Sequence, residues 1–487
     1  MPDEAKPSLI GRTLSHLRGA WRDIAASARG AVTGAVRPDL PDDDAERLRR
    51  KMLDCLEGRG GEVSARARAA DLGRTFLTLN VEGRTRFLGL LAREFAADRA
   101  AVDAAIAAVR AADDDERRGQ AEANLRQTLV PPWSRLFTQF NALPEGVKFL
   151  VDLRADLLQL AKDDPRLRRL EADLKELLAS WFDVGFLDLK RITWDAPAAL
   201  LEKLISYEAV HEIRSWSDLK NRLASDRRCF AFFHPRMPNE PLIFVEVALV
   251  NGMAGNIQAL LDESAPACDP NEADTAIFYS ISNAQIGLAG ISFGSFLIKR
   301  VVDDLAGEFK RLKLFATLSP APGFMGWLDG VLAAGGDDLL PRAEEKLLAE
   351  YAGTADGAAA LRALLDGPWH ADAATAQLLK RPLMSLCARY LLLERRAGRP
   401  LDRTARFHLS NGASIGRLNW LADTSPRGLR QSAAIMVNYV YKLDEIESNH
   451  EAFTGAGKIA AAGPARSLLR GTPSPSAKRS DRTRPAA

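Results

Sequence analysis

The chain has 487 residues, enough for two or three domains that each bury a substantial core. Hydrophobic residues make up 47% of the sequence and charged residues 27%, the composition of an ordinary globular protein. The formal net charge of +2 provides no bulk attraction to nucleic acid or to an anionic membrane, so neither is expected as a partner.

The cysteines and the N-terminus bear on the compartment. No C-x-x-C pair occurs, which argues against a zinc site or a disulfide framework and favours a reducing environment. The N-terminal sequence MPDEAKPSLIGRTLSHLRGAW has no continuous apolar region, which argues against a secretory signal. No later apolar stretch is long enough to span a bilayer. The later arginines of this N-terminus are also compatible with a mitochondrial presequence. Because frequent Ala and Arg suggest a GC-rich bacterial gene, we expect a cytoplasmic bacterial protein. The four cysteines are Cys55, Cys229, Cys268 and Cys387.

Residues 1–40 are predicted to be a flexible segment and residues 41–185 a helical domain. In GRTRFLGLLAREF and in DDPRLRRLEADLKELLASWF, apolar residues recur at helical spacing, and Asp164 and Pro165 provide an N-cap and a first-turn proline. Such stripes are typical of a bundle core rather than of a cofactor site, so we predict an all-α bundle. The stripes are Phe87, Leu90, Leu91 and Phe95 in the first helix and Leu167, Leu170, Leu174, Leu177 and Trp181 in the second.

Residues 186–463 are predicted to form a second, mixed α/β domain, which makes the fold class α+β. Four runs rich in β-branched and aromatic residues predict strands: CFAFFHP from Cys229, PLIFVEVALV from Pro241, TAIFYSIS from Thr275 and KLFATLS from Lys313. Between the last two runs, FLIKRVVDDLAGEF has a helical apolar face, and strand–helix–strand predicts parallel pairing. Residues from about 340 to 400 are predicted to be helical again. The inward face of the crossover helix is Ile298, Val301, Val302, Leu305 and Phe309.

Residues 464–487 are basic and rich in Pro and Ser, and are predicted to be a disordered tail. Nucleic-acid binding by this tail is the alternative interpretation.

A glycine-rich stretch, SNAQIGLAGISFGSFLIKR, joins the third predicted strand to the crossover helix. Glycines let backbone N–H groups approach a phosphate, and a helix N-terminus favours negative charge. The spacing is neither that of a P-loop nor G-x-G-x-x-G. It is similar to the looser turn that binds the coenzyme A pyrophosphate in the GNAT acyltransferase fold. A packing turn without a ligand is equally compatible with this stretch alone.

Longer blocks carry a more specific resemblance. They are YEAVHEIRSW, AIFYSISNAQIGLAGISFGSFLIKRVV, LFATLSPAPGF and RFHLSNGASIGRLNWLADTSPRGLRQSAAIMVNYVYKLDEIESN. In this order and over this length the sequence resembles the malonyl-CoA decarboxylase family. The resemblance implies a helical oligomerisation domain followed by a GNAT-fold catalytic domain. It also implies a homo-oligomer, a dimer or a tetramer, that forms through the helical domain.

The resemblance assigns site residues. Ser319 in the S-P-x-P-G-F turn and His408 in the F-H-L-x-N-G-A turn correspond to the catalytic pair. Some relatives carry an acid where this loop has Ser292, so the acid role of that position does not carry over and the role of Ser292 stays open. The implied coenzyme A loop is Ala289, Gly290, Ile291, Ser292, Phe293, Gly294 and Ser295.

The implied reaction converts malonyl-CoA to acetyl-CoA and CO2. The thioester carbonyl accepts the electron pair that CO2 leaves behind, so neither a metal nor an organic cofactor is expected. The protein must donate hydrogen bonds to the developing oxyanion and protonate the remaining carbon. If TAIFYSIS and KLFATLS are neighbouring strands that splay apart around the acyl group, Ser319 lies at the end of the second strand and faces the acyl group.

Each residue also has a structural interpretation. Ser319 followed by proline is typical of a helix N-cap. His408 could be a core histidine on an apolar strand, or it could be presented at a rim by the SNGA turn and act as the general acid, titrating between about pH 5 and 8 if unperturbed. Tyr441 either orients His408 or the substrate, or only packs. Asn411 either fixes His408 or is only a turn residue.

Two other functions remain open at this point. A GNAT acetyltransferase would move an acetyl group from coenzyme A to an amine, but the sequence shows no signature of a base or an acceptor cleft. A non-catalytic scaffold would bind acyl-CoA without turnover.

Overall fold

The computed structural model describes Trp21 and residues 36–57, 61–162, 164–182, 184–291, 297–335, 339–354 and 356–470. The chain divides into two compact units. The first contains Met1–Asp188, Phe232–Ile243 and Asn283–Phe293, and the second contains Leu189–Ala231, Phe244–Ser282 and Gly294–Ala487.

The first unit contains the predicted helical region. Asn80 caps α3 by accepting from the backbone of Gly83, and Asp164 caps α8 by accepting from Arg166. Pro165 lies in the first turn of α8, as predicted. The helices are α1 (Asp42–Leu56), α2 (Gly61–Thr78), α3 (Val81–Glu94), α4 (Arg99–Ala111), α5 (Asp115–Leu129), α6 (Pro132–Asn141), α7 (Gly146–Leu160) and α8 (Pro165–Trp181).

The predicted apolar faces are largely confirmed. All four predicted core residues of α3, from Phe87 to Phe95, are buried. In α8 the stripe continues from Leu174 to Leu178, which is buried, whereas the predicted Leu177 and Trp181 are only half-buried. Successive residues of a helix are about 100° apart, so Leu177 points to the side of the face that Leu178 occupies.

The prediction of a flexible segment at residues 1–40 is wrong at Trp21 and Leu40. Trp21 is fully buried, its indole donates to the carbonyl of Pro144 at 2.8 Å, and its ring packs edge-on against Phe149. Leu40 is also fully buried. A large aromatic side chain and a leucine gain enough from burial to bind these parts of the segment to the bundle. The rest of residues 1–35 lies outside the described residues.

The second part of the chain has the mixed α/β structure that was predicted. The crossover helix α12 (Leu297–Glu308) and the residue that follows it contain all five predicted inward residues, from Ile298 to Phe309, and all five are buried. The strands are β1 (Asp188–Ile192), β2 (Arg227–His234), β3 (Met237–Val250), β4 (Thr275–Asn283), β5 (Leu314–Thr317), β6 (Ser319–Pro320), β7 (Arg395–Arg396), β8 (Arg399–Pro400), β9 (Ser414–Asn419) and β10 (Met436–Tyr441).

Helices alternate with these strands, and the predicted helical stretch near 340–400 is present as α14 to α16. The helices are α9 (Ala198–Tyr207), α10 (Trp216–Arg222), α11 (Ile257–Leu260), α12 (Leu297–Glu308), α13 (Phe324–Ala333), α14 (Arg342–Ala352), α15 (Gly357–Asp366), α16 (Ala373–Leu392), α17 (Arg403–Ser410), α18 (Pro426–Ser432), α19 (Ile446–Ala456) and α20 (Gly463–Ser467).

The main sheet has a mixed topology. Its strand order is β1-β2-β3-β4-β5-β10-β6 within the described residues, and β9 also pairs with β10. β4 and β5 are parallel, as predicted, from Thr275 opposite Leu314 to Phe278 opposite Thr317. After a last bond from the amide of Leu318 to the carbonyl of Phe278, β4 continues without β5, because the chain passes into β6 along β10.

The boundary of the predicted disordered tail is wrong at its start. α20 spans Gly463–Ser467 and buries Ala465, and the hydroxyl of Ser385 donates to the carbonyl of Leu468 at 3.0 Å. Ala462 also donates a backbone bond to Ile415 of β9. Small residues pack this segment despite its basic composition. The tail from residue 471 onward lies outside the described residues.

Candidate active site

The antiparallel pairing of β10 brings Ser319 and Tyr441 onto one face of the sheet. Ser319 lies opposite Val437, and Tyr441 lies opposite Phe315. Because alternate residues of a strand point to the same side, Tyr439 shares this face with Val437 and Tyr441. The sequence MVNYVY therefore presents both tyrosines of β10 beside the Ser319 hydroxyl.

The pairing of β10 is interrupted at Leu318, directly before Ser319. The register is the same on β5 and on β6. At the interruption, Nδ2 of Asn438 donates to the carbonyl of Thr317 at 2.7 Å, and the amide of Tyr439 donates to Oγ1 of Thr317 at 3.1 Å. Side-chain hydrogen bonds thus replace the backbone bonds of the sheet at this point. Ser319 therefore still points to the same side of the sheet as Phe315.

Helix α17 brings His408 to the same face. Nε2 of His408 lies 3.2 Å from Oγ of Ser319, and Nδ1 lies 2.8 Å from the hydroxyl of Tyr441. The imidazole also stacks on the ring of Tyr439, with centroids 4.5 Å apart and planes at 24°. Both ring nitrogens and one ring face are engaged, so three side chains define the orientation of the imidazole.

The local structure around His408 differs from both expectations. His408 lies on neither a strand nor a rim turn but in the last turn of a helix, where it is only 2% exposed. Asp402 caps the start of α17, and the SNGA sequence ends the helix, with Gly412 at a φ of +83° that favours glycine. The turn therefore terminates the helix that carries the histidine.

Burial determines the charge of this group. It lowers the pKa of His408 to about 3, so the imidazole is neutral at pH 7 in the ligand-free protein. This value lies below the range of about pH 5 to 8 in which an unperturbed imidazole titrates. Burial also raises the pKa of Tyr441, which keeps its proton. Ser319, His408 and Tyr441 form an uncharged hydrogen-bonded chain.

The structure excludes the N-cap interpretation of Ser319. Helix α13 begins only at Phe324, and its N-cap is Gly323. Ser319 belongs to β6, and its hydroxyl contacts the His408 ring instead. The two prolines of the SPAPG turn keep the chain out of the helix until the turn is complete.

Asn411 forms the C-cap of α17. Its Nδ2 donates to the carbonyl of Phe407 at 2.8 Å, and its backbone amide donates to Phe407 and His408. Among the described contacts, none joins the Asn411 side chain to the imidazole. Oδ1 of Asn411 is buried and has no hydrogen-bond partner in the described part of the chain, so it remains available as an acceptor.

Only the beginning of the predicted coenzyme A loop is described. Gly290 has a φ of +74°, which favours glycine, while Ile291 is buried and Ala289 exposed. The buried guanidinium of Arg154 on α7 donates to the carbonyl of Ala289 at 2.9 Å and to that of Gly287 at 2.5 Å. Ser292, Phe293, Gly294 and Ser295 lie outside the described residues.

Sequence reasoning missed two residues that this geometry brings forward. Tyr439 was detectable, because it stands two residues before Tyr441 on the same strand face. Arg154 was not, since it lies in an amphipathic helix and its carbonyl partners are 133 and 135 residues away. Its remaining partner is Glu171, at 2.7 Å.

Two kinds of feature are absent from the described residues. No helix there is long and apolar enough to cross a membrane. Likewise, that part of the chain has no group of three or more His, Cys, Asp or Glu residues arranged to hold a metal ion.

Comparison with known proteins identifies the family. Residues 185–479 match the family described as Malonyl-CoA decarboxylase C-terminal domain, and residues 95–182 match the Malonyl-CoA decarboxylase N-terminal domain. The rat protein named "Malonyl-CoA decarboxylase, mitochondrial" is 40% identical over 487 residues, which cover 95% of this chain and 97% of the rat protein.

Solved structures agree with this result. The crystal structure of malonyl-CoA decarboxylase from Rhodopseudomonas palustris has a TM-score of 0.80 and 43% identity, over 87% of this chain and 99% of that one. The corresponding structure from Agrobacterium vitis has a TM-score of 0.78 and 42% identity, over the same shares of the two chains. From these matches and the preceding geometry, the chain belongs to the malonyl-CoA decarboxylase family.

Proposed function

We propose that this protein is a carboxy-lyase that converts malonyl-CoA to acetyl-CoA and CO2. The observation that carries the proposal is the buried chain from Ser319 through His408 to Tyr441, with contacts of 3.2 and 2.8 Å. It provides a proton donor held in a fixed orientation, which this reaction requires, in a member of a family of malonyl-CoA decarboxylases.

The bond that breaks joins the α-carbon to the malonyl carboxylate. Its electron pair moves into the neighbouring thioester carbonyl and gives CO2 and an enolate. The substrate accepts its own electrons, so we propose a reaction without a metal or an organic cofactor. Hydrogen-bond donors aimed at the enolate oxygen lower the barrier, typically by ~10²–10³ in rate for each donor.

The enolate carbon then needs one proton. In the free enzyme His408 is neutral, but the negative charge of a bound malonyl carboxylate would raise its pKa and favour uptake of a proton from solvent. After CO2 leaves, the hydroxyl of Ser319 gives its proton to carbon and takes the Nε2 proton of His408. One proton is consumed per turnover, and the imidazole ends neutral.

Tyr441 and Tyr439 orient the ring that delivers this proton. The Tyr441 hydroxyl, 2.8 Å from Nδ1, stabilises the protonated imidazole by accepting its second N–H. Tyr439 stacks on one face and excludes water from it. Asn411, with its unpartnered Oδ1, holds the end of the same helix.

We further propose a GNAT-like catalytic domain that binds coenzyme A. The parting of parallel β4 and β5 after Phe278 supports a gap in which an acyl thioester lies. The positive φ of Gly290 supports an exposed turn whose amides meet the pyrophosphate, with residues 289–295 as the loop. A domain boundary between residues 185 and 186, a homo-oligomer formed through the helical domain, a cytoplasmic location and a role in fatty acid metabolism are parts of the same proposal.

A direct assay separates the proposed activity from its alternatives. Purified protein is incubated with malonyl-CoA in the presence of a chelator, and acetyl-CoA and CO2 are measured together. We expect both products in equal amounts. Binding of coenzyme A without CO2 release would favour a scaffold, whereas acetyl transfer from acetyl-CoA to an added amine would favour an acetyltransferase.

Substitutions then test the proton-delivery chain. Ser319→Ala and His408→Asn should each lower turnover by roughly 10²-fold or more, while acetyl-CoA affinity stays near that of the parent. Because both residues serve one step, the double variant should be little worse than either single one. Ser264→Ala and His370→Asn are matched controls that should behave like the parent. Near-parental turnover of either single variant would remove that residue from the mechanism, and additive losses would contradict a shared step.

A further inference from the structure

The turn that follows Ser319 is held in an unusual way. In the sequence SPAPG, Pro320 and Pro322 have no N–H group, so the only internal amides are those of Ala321 and Gly323. The amide of Ala321 donates to Oγ of Ser432 at 3.2 Å, and the amide of Gly323 donates to Oδ2 of Asp402 at 3.4 Å. Both remaining donors of the turn therefore end on side chains from other elements.

Asp402 is also the N-cap of the helix that carries His408. Its other oxygen, Oδ1, accepts from the amide of Ala405 at 2.8 Å and so satisfies one of the free donors at the start of α17. His408 lies on this helix, six positions after the cap. One carboxylate, 1% exposed, thus contacts the segment that bears the serine and the segment that bears the histidine.

Close packing leaves little freedom around this carboxylate. The hydroxyl of Tyr390 on α16 donates to Oδ2 of Asp402 at 3.3 Å, and Tyr390 is 2% exposed. A Cβ atom at Gly323 would lie 2.2 Å from the Tyr390 hydroxyl and 3.7 Å from Oδ2, so only glycine fits at this point of the turn. The two bonds to Oδ2 are long individually, but the surrounding side chains prevent the turn from shifting sideways.

We infer that Asp402 is a positioning residue for the reaction, which sets the separation of the Ser319 hydroxyl and the His408 imidazole by binding the backbone of both segments. Burial raises the pKa of Asp402, and the amides of Ala405 and Gly323 oppose that shift by favouring the carboxylate. An ordinary helix cap needs one acceptor, whereas here the second oxygen of the carboxylate serves the catalytic turn.

Two substitutions distinguish the helix-capping role of Asp402 from its bond to the amide of Gly323. Asparagine and serine cap helices about as well as aspartate, so Asp402→Asn and Asp402→Ser retain an acceptor for Ala405. In Asp402→Asn an amide donor can meet the N–H of Gly323, and in Asp402→Ser the single hydroxyl cannot serve both segments. We expect kcat to fall by roughly 10- to 100-fold in both, because a misplacement of about 1 Å can cost 10² in rate. KM and acetyl-CoA affinity should stay near those of the parent, whereas the melting temperature should fall moderately, because the buried Tyr390 hydroxyl and Gly323 amide lose an acceptor.

The matched control is Asp372→Asn. Asp372 caps α16 through its bond to the amide of Thr375 at 2.8 Å, and it is exposed. It should keep parental kcat. If Asp402→Asn and Asp402→Ser also keep parental kcat, Asp402 is only a cap and the inference is overturned. A loss of kcat that is accompanied by an equal rise in KM would overturn it as well.

Because the inference rests on the proposed decarboxylase activity, a second measurement avoids turnover altogether. Hydrogen–deuterium exchange of the peptide that contains Ala321 and Gly323 should be faster in Asp402→Asn than in the parent, while peptides of α16 exchange as before. A parent without decarboxylation would refute the proposed function, and the exchange would still decide whether Asp402 holds the turn. Unchanged exchange at the turn would refute the link even in an active enzyme.

Discussion

Replacing Tyr441 by phenylalanine removes one oxygen atom and leaves a buried ring nitrogen of His408 without its partner. Tyr441 is 1% exposed and its hydroxyl lies 2.8 Å from Nδ1, so bulk water has no direct access to the site of the lost hydroxyl. A buried polar group without a hydrogen bond costs about 1–3 kcal/mol. If this cost is added to the activation free energy because the protonated imidazole lacks its acceptor, turnover should fall by about 5- to 150-fold, since about 1.4 kcal/mol is a factor of ten.

The measurement is kcat for CO2 release at saturating malonyl-CoA, together with acetyl-CoA affinity, which should not change. Tyr351→Phe is the matched control: its hydroxyl contacts Thr375 at 3.0 Å on an exposed surface. A Tyr441→Phe variant with kcat within about twofold of the parent would show that the Nδ1 contact contributes little, and that the 1–3 kcal/mol estimate does not apply to the reacting state.

Three further outcomes are expected. Because the pKa of His408 is about 3 in the folded protein and its ordinary value is 6.5, unfolding takes up a proton as the pH falls below 6.5. In urea titrations, the contribution of this group should lower the free energy of unfolding by about 1.4 kcal/mol for each unit by which the pH falls from 6 to 4. The His408→Asn variant should lack this contribution; an equal pH dependence of stability in variant and parent would contradict the burial argument. Gly290→Val should weaken coenzyme A binding because of its positive φ, whereas Gly307→Val should not, and equal affinities would move the phosphate site elsewhere. Deleting residues 471–487 should preserve turnover, whereas deletion from residue 464 should lower the melting temperature because it removes buried Ala465; equal melting temperatures would restore the original tail boundary.

The sequence was most informative where one periodic pattern decides the structure. The apolar face of α3 and the crossover helix α12 followed directly from helical spacing, and the parallel pairing of β4 with β5 followed from the helix between them. The burial of Trp21 could not be predicted in this way, because a single aromatic residue in a polar segment forms no periodic pattern.

The site was only partly predictable for a related reason. Ser319, His408 and Tyr441 were identified as candidates, but neither the resemblance that assigned Ser319 and His408 nor the sequence around Tyr441 carries backbone geometry. Local sequence could not place His408 in a helix, since the FHLSNGA pattern fits a turn as well as a helix end. The low pKa of His408 and the contacts of Asp402 depend on residues far away in the chain, which no local pattern encodes.

β10 keeps the same register before and after Leu318, where the pairing is interrupted. The side of the sheet to which a residue of this segment points therefore depends only on whether its position along the strand is odd or even. Ser319 faces the imidazole because it stands an even number of positions after Phe315, and the two tyrosines of β10 likewise stand an even number of positions after Val437. One residue inserted between Thr317 and Ser319 would turn the hydroxyl to the opposite side of the sheet, and a second insertion would return it. Change in chain length is therefore far less tolerable here than change in side chain, and working variants of this segment should differ in composition but not in length.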